Sequence, residues 1–182
     1  ARLAAPAGGL VDSFANLGQP LALTLGGNGD WQRWRGTLAA TLGGASLADL
    51  ALSGDDGRFT ARGTTRPALL LGDGPAARLV EPGLNVDLAA TLGERKADTR
   101  LALRSPALAV DGGGLIDLGA NRLGGVKLTA RLLTPGSIAP NLNGRDIQLA
   151  ATLDGPMATP TVDYRLSAAA IGFGEIAVEG LD

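Results

Sequence analysis

The chain contains neither cysteine nor histidine among its 182 residues. A Ser-His-Asp triad, a cysteine nucleophile, a thiolate or imidazole metal site and a disulfide are therefore all excluded. A cysteine-free sequence suits the cytosol and also an oxidising envelope, where unpaired thiols are a liability, so it assigns no compartment. Aromatic residues make up only 3%, with two Trp and one Tyr, which counts against an outer-membrane barrel ringed by aromatic girdles. Sixteen basic and 18 acidic residues give a formal charge of -2, without the positive footprint that nucleic acid demands, so no nucleic-acid partner is expected. Phosphate loops, Gly-x-Ser-x-Gly elbows and EF-hand ligand series are also missing, so neither an enzyme nor a cofactor is expected. Gly, Asp, Arg or Thr interrupts every Leu-rich stretch well short of the roughly 18 apolar residues of a spanning helix. The start, Ala1-Arg2-Leu3-Ala4-Ala5, has neither an initiating Met nor a signal-peptide pattern, and the chain is read as an interior section of a longer protein whose membrane anchor lies elsewhere.

What the sequence has instead is period-two alternation, the mark of strands with one apolar face and one polar or small face. Leu84, Val86, Leu88, Ala90 and Leu92 alternate with Asn85, Asp87, Ala89 and Thr91. Similar runs are Leu21-Leu23-Leu25, Leu101-Leu103, Leu108-Val110, Val126-Leu128-Ala130-Leu132, Ile147-Leu149-Ala151-Leu153 and Val162-Tyr164-Leu166-Ala168. Gly- or Pro-rich punctuation at residues 43–44, 54–57, 72–75, 111–114, 141–144 and 154–156 predicts tight turns. Successive strands then pair as an antiparallel meander, because no helical pattern between them is long enough for a parallel crossover. A short helix is expected at about residues 9–18, where Leu10, Val11, Phe14 and Leu17 share one helical face and Gly18 with Pro20 ends the run; it would plug one end of the sheet. The string Leu-Ala-Ala-Thr-Leu recurs at 38–42, 88–92 and 149–153, a weak repeat suited to an accretive sheet open to extension at either edge.

A sheet of about eleven strands with one apolar face cannot stay flat in water. Closure on itself would make a sandwich or barrel whose alternating residues are core; partial curling would leave a trough with an apolar floor. The mixture of Ala with Leu and the lack of bulky aromatics leave room for a ligand in such a trough. Its candidate groove residues are Leu38, Leu42, Leu84, Val86, Leu88, Leu101, Leu103, Val126, Leu128, Leu132, Ile147, Leu149, Leu153, Val162, Tyr164 and Leu166.

Three other features carry chemistry. Gly29-Asp30-Trp31-Gln32-Arg33-Trp34-Arg35-Gly36 holds both tryptophans, making Trp31 and Trp34 interface candidates as well as candidates for capping the core. Gly26-Gly27-Asn28-Gly29-Asp30 resembles a calcium-binding glycine repeat, but its Asp spacing is wrong and a turn is expected. Asp55, Asp56, Asp73 and Glu94 offer carboxylates for glycosidase chemistry, yet all lie beside glycine where Asp ordinarily serves the backbone.

The stretches Gly29–Leu42, Asp56-Gly57-Arg58-Phe59-Thr60-Ala61-Arg62-Gly63 and Asn143–Pro156, read as continuous strings, resemble the TamB family of Gram-negative envelope proteins (translocation and assembly module), related to AsmA-like proteins. The resemblance implies an all-β fold: a long antiparallel meander curled into an open apolar trough, the β-taco, with residues 1–182 one section of it. It further implies anchoring in the inner membrane, extension through the periplasm and contact with an outer-membrane TamA-like protein through the full-length chain. Two roles come with the family, assembly of outer-membrane proteins and autotransporters, and phospholipid movement between the membranes. The second agrees with the residue pattern, because a Leu/Ala/Val trough suits acyl chains while headgroups stay hydrated at its mouth. The alternatives are a structural or interaction module that requires no lipid, either a scaffold that templates client strands or a secreted β-sandwich adhesin, and, last, a carbohydrate-active enzyme on a β-solenoid.

Overall fold

The computed structural model describes residues 2–5, 18–30 and 32–181. The helix expected at about 9–18 lies outside the described residues apart from Gly18, and so does Trp31. The alternating run Leu21-Leu23-Leu25 forms β2 (Leu21–Gly29), preceded by β1 (Arg2–Ala5) and followed by β3 (Arg33–Leu42), β4 (Ala45–Asp55) and β5 (Arg58–Thr65). Two short helices follow, α1 (Ala68–Leu71) and α2 (Pro75–Val80). Strands β6 (Leu84–Gly93), β7 (Lys96–Arg104), β8 (Leu108–Asp117) and β9 (Arg122–Leu132) come next, then a 3-10 turn (Pro135–Ser137). The chain ends in β10 (Leu142–Arg145), β11 (Gln148–Pro156), β12 (Thr161–Phe173) and β13 (Ile176–Leu181). All pairings are antiparallel, and the result is a curled all-β meander that does not close.

Strands β10 and β11 lie on the same edge of β12 in one unbroken register, Arg145 opposite Ala170 and Gln148 opposite Ser167. They are two halves of one strand interrupted at Asp146, whose φ is 54°. Strand β13 pairs on the other edge of β12.

Three hairpins turn through two residues with positive φ, at Gly43-Gly44, Asp56-Gly57 and Glu94-Arg95. That geometry matches the right-handed twist of the flanking strands. The first two coincide with predicted punctuation. Other predicted turns are corrected. Asp111-Gly112-Gly113-Gly114 lies inside β8, because these glycines provide clearance: a methyl group on Gly112 would approach Leu128 Cδ2 to 2.5 Å and one on Gly113 the Thr99 carbonyl to 2.6 Å. Gly26–Gly29 belongs to β2, Leu142–Gly144 to β10 and Asp154–Pro156 to β11, while Gly72–Pro75 joins the two helices. Residues 66–83 hold two short helices that the sequence pattern does not mark, too short to show a 3.6-residue period and too short for a parallel crossover, so β5 and β6 still pair antiparallel.

Two bulges add to the curl. Leu47 is the extra residue where β4 slips against β3, and β9 carries an extra residue at Gly125 (φ 62°) that shifts its register against both β8 and β11. Bulges bend a strand and increase its local twist.

The polar face is held by cross-strand pairs. Arg62 bridges to Asp87 at 3.0 Å between β5 and β6, and Ser53 shares a 2.7 Å hydrogen bond with Thr60 between β4 and β5. Asp111 on β8 takes both Arg104 from β7 and, at 3.2 Å, Arg131 from β9. The two arginines flank Ala109 in the register and account for its burial on this otherwise exposed face.

Glu94 and Arg95 both hold positive φ without the conformational freedom of glycine. Replacing the pair with Asn-Gly is expected to raise stability by about 1 kcal/mol in denaturant unfolding. The Arg104 hydrogen bond, helped by attraction to Arg104 and Arg131, lowers the Asp111 carboxyl below its ordinary range. Its contribution is complete above the unfolded carboxylate range and lost as pH falls through the lowered folded value. Asp111→Asn should therefore flatten the acid limb of the stability–pH curve, and an unchanged limb would show that the pairing is inert.

Candidate functional site

In an antiparallel ladder, directly opposed residues point to the same face, so the register shows where every alternating side chain goes. One row of opposed residues runs Leu25–Leu38–Leu50–Gly63–Val86–Leu103–Val110–Ala130–Leu149–Leu166 across ten sheet positions, without a charged or polar side chain. The next row on this face runs Gly27–Gly36–Leu52–Ala61–Leu88–Leu101–Gly112–Leu128–Ala151–Tyr164. Between them, on the opposite face, lie Gly26–Thr37–Ala51–Arg62–Asp87–Ala102–Asp111–Thr129–Ala150–Arg165. One sheet thus has a hydrocarbon side and a hydrated side.

The groove residues selected from the sequence fall together on the hydrocarbon side. Leu38, Val86, Leu103, Leu149 and Leu166 occupy the first row, and Leu88, Leu101, Leu128 and Tyr164 the second. Val126, Leu153 and Val162 form a further line, with Val126 opposite Leu153 and Leu153 opposite Val162. Leu42 lies opposite Leu21, Leu84 opposite Thr65 and Leu132 opposite Leu108. Ile147 accepts the Leu132 N–H on its carbonyl, and its side chain lies over Gly144, where an added methyl group would meet Ile147 Cδ1 at 2.7 Å.

The selection omitted Leu50, Leu52 and Phe59, which share the face. Leu50 and Leu52 do alternate in the sequence, but Leu47 breaks the run because it is the bulged residue. Phe59 stands in a segment otherwise made of Thr, Ala, Arg and Gly.

Cover over the face is uneven. Leu42, Leu84, Ile147 and Ala168 are buried at the end carrying α1, α2 and the 3-10 turn. Toward the middle and the turn-bearing end, Leu25, Leu88 and Leu92 are 37–39% exposed, and Val162 and Leu166 almost half exposed. No large side chain among the described residues is fully buried, as those of a second packed layer would be. The cover at the helical end is fastened by Arg78, whose guanidinium donates to the carbonyls of Ser137 (2.7 Å) and Ile138 (2.8 Å), and by the Ser105 hydroxyl, which donates to the Leu79 carbonyl.

At the other end Trp34 and Phe59 stand on either side of Gly54 in one row of the apolar face. They border an open pocket of about 440 Å³, also lined by Gly29, Asp30 and Gln32. The indole lies across Gly27 and Gly36, where an added methyl group would come within 2.5 Å of the ring. The glycines are therefore the seat of the tryptophan, not a calcium loop. Asp30 accepts the backbone N–H groups of Arg33 (2.7 Å) and Gln32 (2.8 Å), which lower its carboxyl below the usual range, and it serves as the cap of the β2–β3 turn. Among the described residues no group of three or more acidic side chains could hold a metal ion, and no helix is long and apolar enough to cross a membrane.

No family model, curated protein or solved structure matches the chain.

Gly27→Ala is expected to lift the indole from its seat, lower stability by about 1 to 3 kcal/mol and red-shift the tryptophan emission. Emission unchanged from that of the parent chain would contradict the placement.

Proposed function

We propose that this chain is a lipid-binding section of a periplasmic bridge-like protein of the TamB and AsmA-like kind, conducting phospholipid acyl chains between inner and outer membrane and supporting outer-membrane biogenesis. The observation that carries this reading is the uninterrupted apolar row across ten sheet positions, left partly open to solvent. A one-sided sheet leaves hydrocarbon surface in contact with water unless something apolar occupies it. Acyl chains fit because the face offers Leu, Val, Ala and Gly without a directional polar anchor, so a chain can slide along it while its headgroup stays in water. No residue is assigned a catalytic part.

A scaffolding role in outer-membrane protein or autotransporter assembly is the second reading. It is favoured by β13, which among the described residues pairs only with β12 and so presents a free backbone edge for a client strand.

Purification from a bacterial envelope without detergent, followed by native mass spectrometry and lipid extraction, tests the first reading. Phospholipid should accompany the parent chain and fall roughly tenfold or more in Leu88→Asp and in Leu128→Asp, since each places a charge against hydrocarbon. Both variants should keep their β-sheet circular dichroism, because Leu88 is 37% exposed and Leu128 is only partly buried. A lipid-free parent chain, or loss of fold in both variants, would contradict the proposal.

A further inference from the structure

The helical end of the sheet carries a second apolar surface that faces outward. Leu69, Leu70 and Leu71 are 42%, 48% and 49% exposed, although α1 consists only of Ala68–Leu71. Successive helical residues point about 100° apart, so three in a row span about 200°, more than half the circumference of the turn. A protein groove covers one helical stripe, with anchors three and four residues apart, and could not cover all three leucines. A surrounding hydrocarbon medium can.

Other features of this end agree. Segment 133–141 contributes Leu133 at 54% and Ile138 at 36% exposure and holds no charged residue. Segment 66–83 carries Arg66 and Arg78 against Asp73 and Glu81, with no net charge, and Arg78 is engaged with the Ser137 and Ile138 carbonyls. The β12–β13 hairpin turns at the same end through Gly174-Glu175, with Phe173 58% and Ile176 74% exposed on either side of that single carboxylate. The opposite end turns through Asp30, Asp55-Asp56, Glu94-Arg95 and Asp117, where exposed Leu118 and Met157 sit among charges. Immediately inside the leucine-bearing end begins the apolar face itself, at Leu42 and Leu84. Leu42 and Leu84 are buried there, so the outward surface is set apart from the open part of the trough by this covered stretch.

We infer that the segment containing Leu69, Leu70 and Leu71, together with Leu133 and Ile138, docks this end of the sheet onto a phospholipid bilayer by shallow insertion into its acyl region. The lack of net charge makes the contact hydrophobic, insensitive to salt and independent of anionic lipid. The inference rests on the lipid-carrying reading only for its purpose, as the docking surface is separate from the groove residues.

Flotation of the 182-residue chain with phosphatidylcholine vesicles, at low and at high salt, tests it. The parent chain should float equally at both. A variant with Leu69→Asp, Leu70→Asp and Leu71→Asp should lose vesicle affinity on the order of a hundredfold while keeping its melting transition, because the three positions are exposed. Leu133→Asp alone should lose less. Leu88→Asp should float like the parent while losing extractable lipid, which separates docking from carriage: flotation without any co-purifying lipid would defeat the trough reading and leave the docking intact. A parent chain that stays with the soluble fraction, a triple variant that floats unchanged, or leucines that instead hold copies of the chain together, seen as conversion of an oligomer to a monomer in the triple variant, would each overturn the inference.

Discussion

An apolar face laid across ten hydrogen-bonded positions survives only if every pairing keeps its register, since a slip of one residue would turn an entire strand's leucines into the hydrated side. Here the constraint is met at each ladder. Leu38 opposes Leu50, Val86 opposes Leu103, and Leu149 opposes both Ala130 and Leu166, with charges such as Arg62, Asp87 and Asp111 always on the other side. The two-residue turns at Gly43-Gly44, Asp56-Gly57 and Glu94-Arg95 fix these registers locally, and the cross-strand ion pairs discriminate against slippage on the hydrated side. Each surface pair is worth little in stability.

The same constraint explains the placement of small residues. Where the face must bend or receive a large side chain, glycine or alanine stands opposite it: Gly112 between Leu101 and Leu128, Gly54 between Trp34 and Phe59, Gly27 and Gly36 beneath the indole. A sheet filled only with leucine would be too crowded on its concave side to curl this far. The glycine content is thus largely structural and lies inside strands as much as between them.

Alternation made β2, β6 to β9, β11 and β12, the antiparallel order and most members of the apolar face legible in the sequence, because a period of two identifies a face wherever the register is unbroken. What it did not show has particular causes. Glycines within β8 and β2 resemble turn glycines by composition, and only the three-dimensional neighbours Leu128 and Trp34 reveal their function. The interruption of β10 and β11 at Asp146 and the bulge at Gly125 depend on positive φ at single residues, which leaves little mark on hydrophobic periodicity. The helices in segment 66–83 are one or two turns long, so their leucines look like another apolar run.

The hydrocarbon face is a single layer, covered at the helical end and open over its middle, where it is available to acyl chains and not locked in a core. The absence of cysteine from the chain allows a direct test with single substitutions Leu88→Cys and Leu128→Cys, each treated with a water-soluble thiol reagent in the folded, delipidated protein and again after addition of phospholipid. An open trough predicts rapid labelling of both positions that added lipid slows. Thiols that stay inert in the folded protein and react only on unfolding would show a closed core and contradict it.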